Sequence, residues 1–318
     1  MSLPSPPLDF PHILKGEKTQ ASLDSTLEWI RHARNDLTTK LGRMGAILFR
    51  GYPIHSPQDF DRFIQAFDFE VFTYEESFSN AVRTSVTPRV FTANEAPPTV
   101  DIYLHHEMAQ TPLFPEKLFF YCEIAPKGGG ATPLCRSDVV VHHLEKAEPD
   151  LVAALEERGV RYSHTMPKTP DFSSGQGRSW QDTLHVETRE EAETRLRALS
   201  YTWEWRDDES LRVTTKTLPA IRKLQGGTRV FFNQLIAAFR GWKHEHDDPR
   251  RSICYGDSTP IPADAMQTAI SIADDVTYDL QWQVGDIALV DNYLVMHGRR
   301  SYTGQRRVLA SLAGCRTS

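Results

Sequence analysis

The chain has 318 residues, 40% of them hydrophobic and 25% charged, with a formal net charge of −6. A chain of that length can bury a substantial core and often remains one domain, and the absence of any lysine- or arginine-rich stripe excludes the electrostatic footprint of a nucleic-acid binder. No run reaches the length of a membrane span, the opening residues lack the apolar centre of a secretory leader, and Cys122, Cys135, Cys254 and Cys315 form no CxxC pair. These features exclude a disulfide framework and a zinc knuckle, and lead us to expect reduced thiols and a cytoplasmic location, with neither membrane nor nucleic acid as partner.

Residues 1–16 read as an extended arm, because Pro4, Pro6, Pro7 and Pro11 break any helix there. Ser25 and Glu28 then form a capping box, Leu27, Ile30, Leu37 and Leu41 give the following helix an apolar stripe, and Gly42 is placed to stop it. Ala46 to Arg50 is a short strand ended by Gly51. A second helix starts at Ser56-Pro57, serine as cap and proline in the first turn, and buries Phe60, Phe63, Ile64 and Phe67.

Residues 69–103 are irregular, as a long segment bordering a site would be. Leu118 to Glu123 is a β-type run, and the turn from Pro126 to Gly130 returns the chain toward Thr132. Pro149 opens a helix that Gly159 closes. Residues 164–181 are rich in proline, serine and glycine and suit a lid loop. Glu190 to Ala198 is an exposed, charged helix, whereas Leu211–Thr217, Val230–Asn233, Ile287–Asp291 and Val308–Ala313 are strand-like. Strands dominate the second half, which predicts a mixed β fold with helices: a double-stranded β-helix, or jelly-roll barrel, decorated by α-helices.

His105-His106-Glu107 is the segment richest in chemical meaning. Residues two apart on a strand share a face, so His105 and Glu107 can meet one ion, and His297 supplies a second imidazole. Two histidines and a carboxylate on one side of an ion leave the opposite positions open, which is the donor set of non-heme Fe(II) oxygenases. His-x-Glu alone is weak, since twelve histidines produce chance pairs, and His185-Val186-Glu187 repeats the spacing. That second pair lies ahead of exposed charge and outside any strand pattern, and is set aside. His106, between the two ligands, faces away from the ion in this scheme. Asp291 and Asn292, ending a strand, are expected to satisfy turn and backbone groups.

Glu95-Ala96-Pro97, His105-x-Glu107, Gly128-Gly129-Gly130-Ala131-Thr132 and Gly285 to Asn292 leading to His297-Gly298-Arg299, in that order, resemble the TauD/TfdA family. These are Fe(II)/2-oxoglutarate-dependent oxygenases of the taurine-dioxygenase-like branch, here with a glutamate ligand as in clavaminate synthase. The resemblance runs from about Gly45 to Gly314. It implies that His105, Glu107 and His297 hold Fe(II), and that Thr132 and Arg307 bind the far carboxylate of the cosubstrate 2-oxoglutarate, with O2 as the second cosubstrate. Arg306, in the same Gln-Arg-Arg run, is the alternative anchor. Asn233 resembles a residue that faces substrate in related sequences, and as a residue closing a strand into a turn it has an equally good structural role.

Two departures narrow the expectation. Several family members carry a second arginine four residues past the anchor to grip an anionic substrate, and that position here is Ser311, so a sulfonate like taurine is not supported. Family halogenases replace the metal carboxylate by a small residue, whereas Glu107 keeps it. The resemblance therefore implies a single catalytic domain that oxidises an unactivated C–H bond of a small polar metabolite, an amino acid or derivative, by hydroxylation, desaturation or ring closure with release of succinate and CO2. The competing expectation is a jelly-roll metal- and ligand-binding protein, or a non-oxidative metalloenzyme, without O2 turnover.

Overall fold

A computed structural model describes residues 9–72, 83–93, 96–170, 178–241 and 252–317. Two sheets carry the fold. The larger runs His12–Lys15, Ala46–Arg50, Ile287–Asp291, Leu113–Ile124, Arg307–Thr317, Phe91–Thr92; the smaller runs Thr277–Leu280, Thr132–Arg136, Val295–Arg299, Ile102–His105. Only the edge pair His12–Lys15 with Ala46–Arg50 is parallel; the other pairings within these two sheets are antiparallel.

The period-two alternation of the long strand Leu113–Ile124 shows how the layers form. Phe114, Leu118, Phe120 and Cys122 enter a cluster with Leu134, Leu280 and Val295 of the smaller sheet, so this core lies between the two sheets. Phe119 and Tyr121 point the other way, into a second cluster beneath the helices Leu23–Met44 and Pro57–Gln65. The result is a jelly-roll core with helices packed on its outer face. Burying side chains of Phe size stabilises each layer by roughly 1.5–3 kcal/mol apiece.

Helix boundaries follow local chemistry. Ser56 caps its helix by accepting from the N–H of Asp59, with Pro57 in the first turn, and Pro149–Arg158 closes at Gly159 as the sequence suggests. The first helix begins earlier than Ser25: Ser22 is its cap, and Ser22 and Ser25 bond reciprocally, which makes Ser25 the third helical residue. It also outlasts Gly42, ending at Met44, because Gly45 adopts the left-handed φ of 84° that terminates a helix and donates to Leu41 O.

The helices Ser137–Ala147 and Ala263–Asp275 pack together in a further cluster, where Met266, Ala269, Ile270 and Ala273 recur at helical spacing. A separate four-stranded sheet, Ile253–Tyr255, Val160–Met166, Leu211–Thr214, Thr202–Trp205, packs with the helices Trp180–Leu184 and Arg189–Ala198. The expected lid thus begins in a strand and ends in a helix; residues 171–177 between them lie outside the described residues, as do Glu95, residues 1–8 of the arm and residues 242–251. Among the described residues no helix is long and apolar enough to cross a membrane.

Candidate active site

His105 ends the strand Ile102–His105, and its register partner across the smaller sheet is His297. Antiparallel partners bring side chains face to face, and the two imidazole centroids lie 4.4 Å apart. The strands can close this tightly because Gly298 follows His297: a Cβ there would stand 2.3 Å from the carbonyl oxygen of Ile102. Glu107 arrives differently from the expected strand alternation. The strand stops at His105, and Glu107 sits in the turn beyond it. Asn292 holds that turn in place, its Oδ1 accepting from Glu107 N–H at 2.8 Å while its Nδ2 donates to the carbonyls of Glu107 at 3.0 Å and Pro115 at 2.7 Å.

One ligating atom from each of His105, Glu107 and His297 lies within 4.8 Å of the others, and His297 Nε2 is 3.4 Å from Glu107 Oε2. His105 Nδ1 bonds Tyr103 O at 2.8 Å, so that nitrogen carries the proton and Nε2 keeps its lone pair for an ion. Burial, then the neighbouring His297, pushes His105 down to about 4, which leaves its imidazole neutral at neutral pH. Burial opposes ionisation of Glu107, yet Arg83, aided by His297 and His105, outweighs it and holds the carboxyl well below the usual range. Arg83 donates to Glu107 Oε1 at 2.7 Å. The donor set is that of a ferrous site, with two imidazoles and a charged carboxylate converging in one place.

The pocket around this triad is lined by Arg83, Phe120, Thr132, Arg299, Arg306 and Val308 among others. Thr132 Oγ1 accepts from Trp282 Nε1 at 2.9 Å and from Arg306 at 3.4 Å, so both of its lone pairs are engaged and its proton remains for an acceptor. Arg306 also donates to Gly130 O at 3.0 Å. Burial, reinforced by Arg299, pulls its guanidinium down to about 10, still charged at neutral pH. Among the described residues no carboxylate pairs with Arg306. A half-buried cation with only neutral partners, beside a hydroxyl obliged to donate, fits one end of a dicarboxylate.

Residues 9–313 match the family described as taurine catabolism dioxygenase TauD, TfdA family. The chain belongs to the TauD/TfdA family. It is a non-heme dioxygenase whose cosubstrates are 2-oxoglutarate and O2 and whose metal is Fe(II). It is 40% identical over 312 residues to a clavaminate synthase-like protein of Arabidopsis thaliana, covering 98% of this chain and 90% of that one. The dapdiamide synthesis protein DdaC of Enterobacter agglomerans is 29% identical over 322 residues, covering 95% and 91%. The fold matches that of the PvcB protein of Pseudomonas aeruginosa with a TM-score of 0.53 at 14% identity, over 95% of this chain and 84% of that one.

Of the residues that the family resemblance singled out, His105, Glu107, His297 and Thr132 come together in the pocket. Arg307 does not. It pairs instead with Glu123 at 2.7 Å on the outer side, its side chain 44% exposed. Val308, Ala310 and Leu312 enter the core between the sheets and Leu309 and Ala313 lie beneath the outer helices; the register is irregular between Arg307 and Val308, and there Arg306 turns into the pocket while Arg307 turns out to Glu123. With Arg306 as anchor the fourth residue beyond is Ala310, again without a charge to hold a sulfonate.

Asn233 is likewise committed elsewhere. Its Nδ2 donates to Ala220 O and its Oδ1 caps the helix Leu235–Gly241 by accepting from Leu235 N–H, both at 2.9 Å, and it does not line the pocket. His106 faces away from the triad, its Nδ1 bonded to Asn292 O and its ring against Phe232. Two contributors carried no motif, Arg83 and Trp282; Arg299 belonged to the His297-Gly298-Arg299 run but was given no role of its own. Arg299 donates to the carbonyls of Ala96, Pro97 and Val100, closing the pocket wall with one planar guanidinium that serves three acceptors. Trp282 sits just ahead of the Gly285-Asp286 turn, and that position next to a site motif is the one signal that pointed to it.

Proposed function

We propose that His105, Glu107 and His297 hold Fe(II), that Arg306 and Thr132 bind the far carboxylate of 2-oxoglutarate, and that the enzyme oxidises an unactivated C–H bond of a small polar metabolite, an amino acid or derivative. The observation that carries this reading is a ferrous-type donor set in one pocket with a half-buried guanidinium that lacks an acidic partner among the described residues. When bound, the ion with 2-oxoglutarate and O2 supplies the oxidant, at the cost of releasing succinate and CO2.

The chain's own residues do the rest. His105 offers a neutral nitrogen because burial disfavours its protonated form. Glu107 brings the negative charge. Arg306 and Thr132 give the cosubstrate a single orientation, a two-pronged donor with a hydroxyl beside it, so that its keto acid end turns toward the triad. Phe120 and Val308 line the pocket with apolar surface and exclude water from it. The whole chain acts as one catalytic unit in this reading, and the free thiols of Cys122, Cys135 and Cys254 are in keeping with a reducing, cytoplasmic setting.

The absence of a second cation at Ala310 argues against sulfonates, and the relative named for dapdiamide synthesis supports a small metabolite. The test is succinate release from 2-oxoglutarate across a panel of amino acids and derivatives, with mass spectrometry of the co-product. A gain of one oxygen, or a loss of two hydrogens, in one panel member is the expected result. Metal-loaded protein that develops no weak visible charge-transfer band when 2-oxoglutarate is added anaerobically would favour ligand binding without turnover.

A further inference from the structure

We infer that Arg83 is a positioning residue for the metal-binding carboxylate: by holding Oε1 of Glu107 it leaves Oε2 as the single oxygen facing the ion. The inference rests on the assignment of His105, Glu107 and His297 as ligands. The two oxygens of Glu107 have different surroundings. Oε1 accepts from the Arg83 guanidinium at 2.7 Å, whereas Oε2 lies 3.4 Å from Nε2 of His297, another of the three candidate ligands. Both members of the ion pair are buried, with side chains 8% and 7% exposed. The guanidinium also lies over the ring of Phe91, 5.1 Å from its centroid, so the donor is itself held in place.

A carboxylate can bind a metal through one oxygen or through both. An octahedral ion with two imidazoles, one carboxylate oxygen and a two-pronged keto acid has a single position left for O2, and a second carboxylate oxygen would take it. A charge-assisted hydrogen bond to Oε1 makes that oxygen a poor ligand and fixes the carboxylate's rotation. Arg83 thereby keeps open the positions that the reaction uses, without touching the reacting atoms.

Cobalt(II) loaded in place of iron gives a test that needs no turnover, because its visible absorption depends on coordination number. Wild-type protein, Arg83→Gln and Arg83→Lys are compared first with cobalt alone, then during anaerobic titration with 2-oxoglutarate. Arg83→Gln is expected to bind cobalt but with an altered spectrum before any cosubstrate is added, and to bind 2-oxoglutarate at least about tenfold more weakly than wild type. Arg83→Lys restores the charge through a single point of contact and is expected to fall between the two. A folded, cobalt-loaded variant of either kind with the wild-type spectrum and wild-type 2-oxoglutarate affinity overturns the inference; should Arg83→Gln not fold, Arg83→Lys decides by the same criterion. If wild-type protein itself takes no cobalt, the triad assignment is what fails, and the role of Arg83 falls with it.

Discussion

His105-x-Glu107 and His185-x-Glu187 share a spacing and differ in almost everything else. His185 is an exposed residue in the left-handed conformation that caps the helix Trp180–Leu184, Glu187 is exposed too, and both border an open depression that also includes Glu191. The first pair is held in the interior, with a second histidine delivered opposite by strand register and a glutamate whose backbone is clamped by Asn292. Spacing contributes little to a metal site. A third ligand from a distant strand, burial that keeps the imidazole neutral, and a support that sets the carboxylate's place make the difference.

The sharpest way to break this contrast is His297→Ala, which should abolish tight Fe(II) binding and bring turnover below detection, whereas His185→Ala and Glu187→Ala leave metal content and turnover unchanged. Metal analysis of the purified variants decides, and retention of iron by His297→Ala would undo the assignment. Next in size is the pair of adjacent arginines. Arg306→Ala should raise the KM for 2-oxoglutarate on the order of a hundredfold, consistent with about 2–5 kcal/mol for truncating one member of a buried charge pair. Arg307→Ala removes an exposed ion pair worth about 0–1 kcal/mol and should leave that KM alone. Steady-state kinetics showing the reverse order would return the anchor to Arg307.

Smaller effects probe the supports. Asn292→Ala leaves the N–H and carbonyl of Glu107 and the carbonyl of Pro115 without their partner, each worth about 1–3 kcal/mol. A lower melting temperature with metal affinity reduced roughly 10–100-fold is expected; thermal melts with and without metal check it, and unchanged affinity would separate the clamp from the site. Trp282→Phe removes one donor to Thr132, about 1 kcal/mol, and should raise the KM for 2-oxoglutarate only a few-fold with iron affinity intact. Loss of iron in that variant would show a broader structural role.

The Ser56-Pro57 helix start and the strand Ile287–Asp291 were legible because each combines a residue type with a local pattern that has one good structural solution, whereas the three candidate ligands were legible only through the ordered set of motifs, since Glu107 sits in a turn and not on the strand its spacing suggested. The choice between Arg306 and Arg307 was not, since residues 308–313 are apolar or small on both faces, one entering the core between the sheets and the other packing under helices. Alternation tells in from out only where one face is polar. Ser22 and Ser25, three apart, both look like caps, and only the reciprocal bonds between them show which is which. Arg83 left no trace in the sequence: a lone arginine in an irregular stretch gains meaning only from the carboxylate it meets.

Asn292 has one further implication. Its side chain and its carbonyl together join the His106–Glu107 corner to the turn before His297, a span of 185 residues closed by protein atoms alone. The cradle is therefore tied together by hydrogen bonds in which no cation takes part. Such a protein is expected to be stripped by a chelator and reloaded without refolding, and to take a redox-silent substitute in the same seat, giving an inert copy in which substrate could be trapped unreacted.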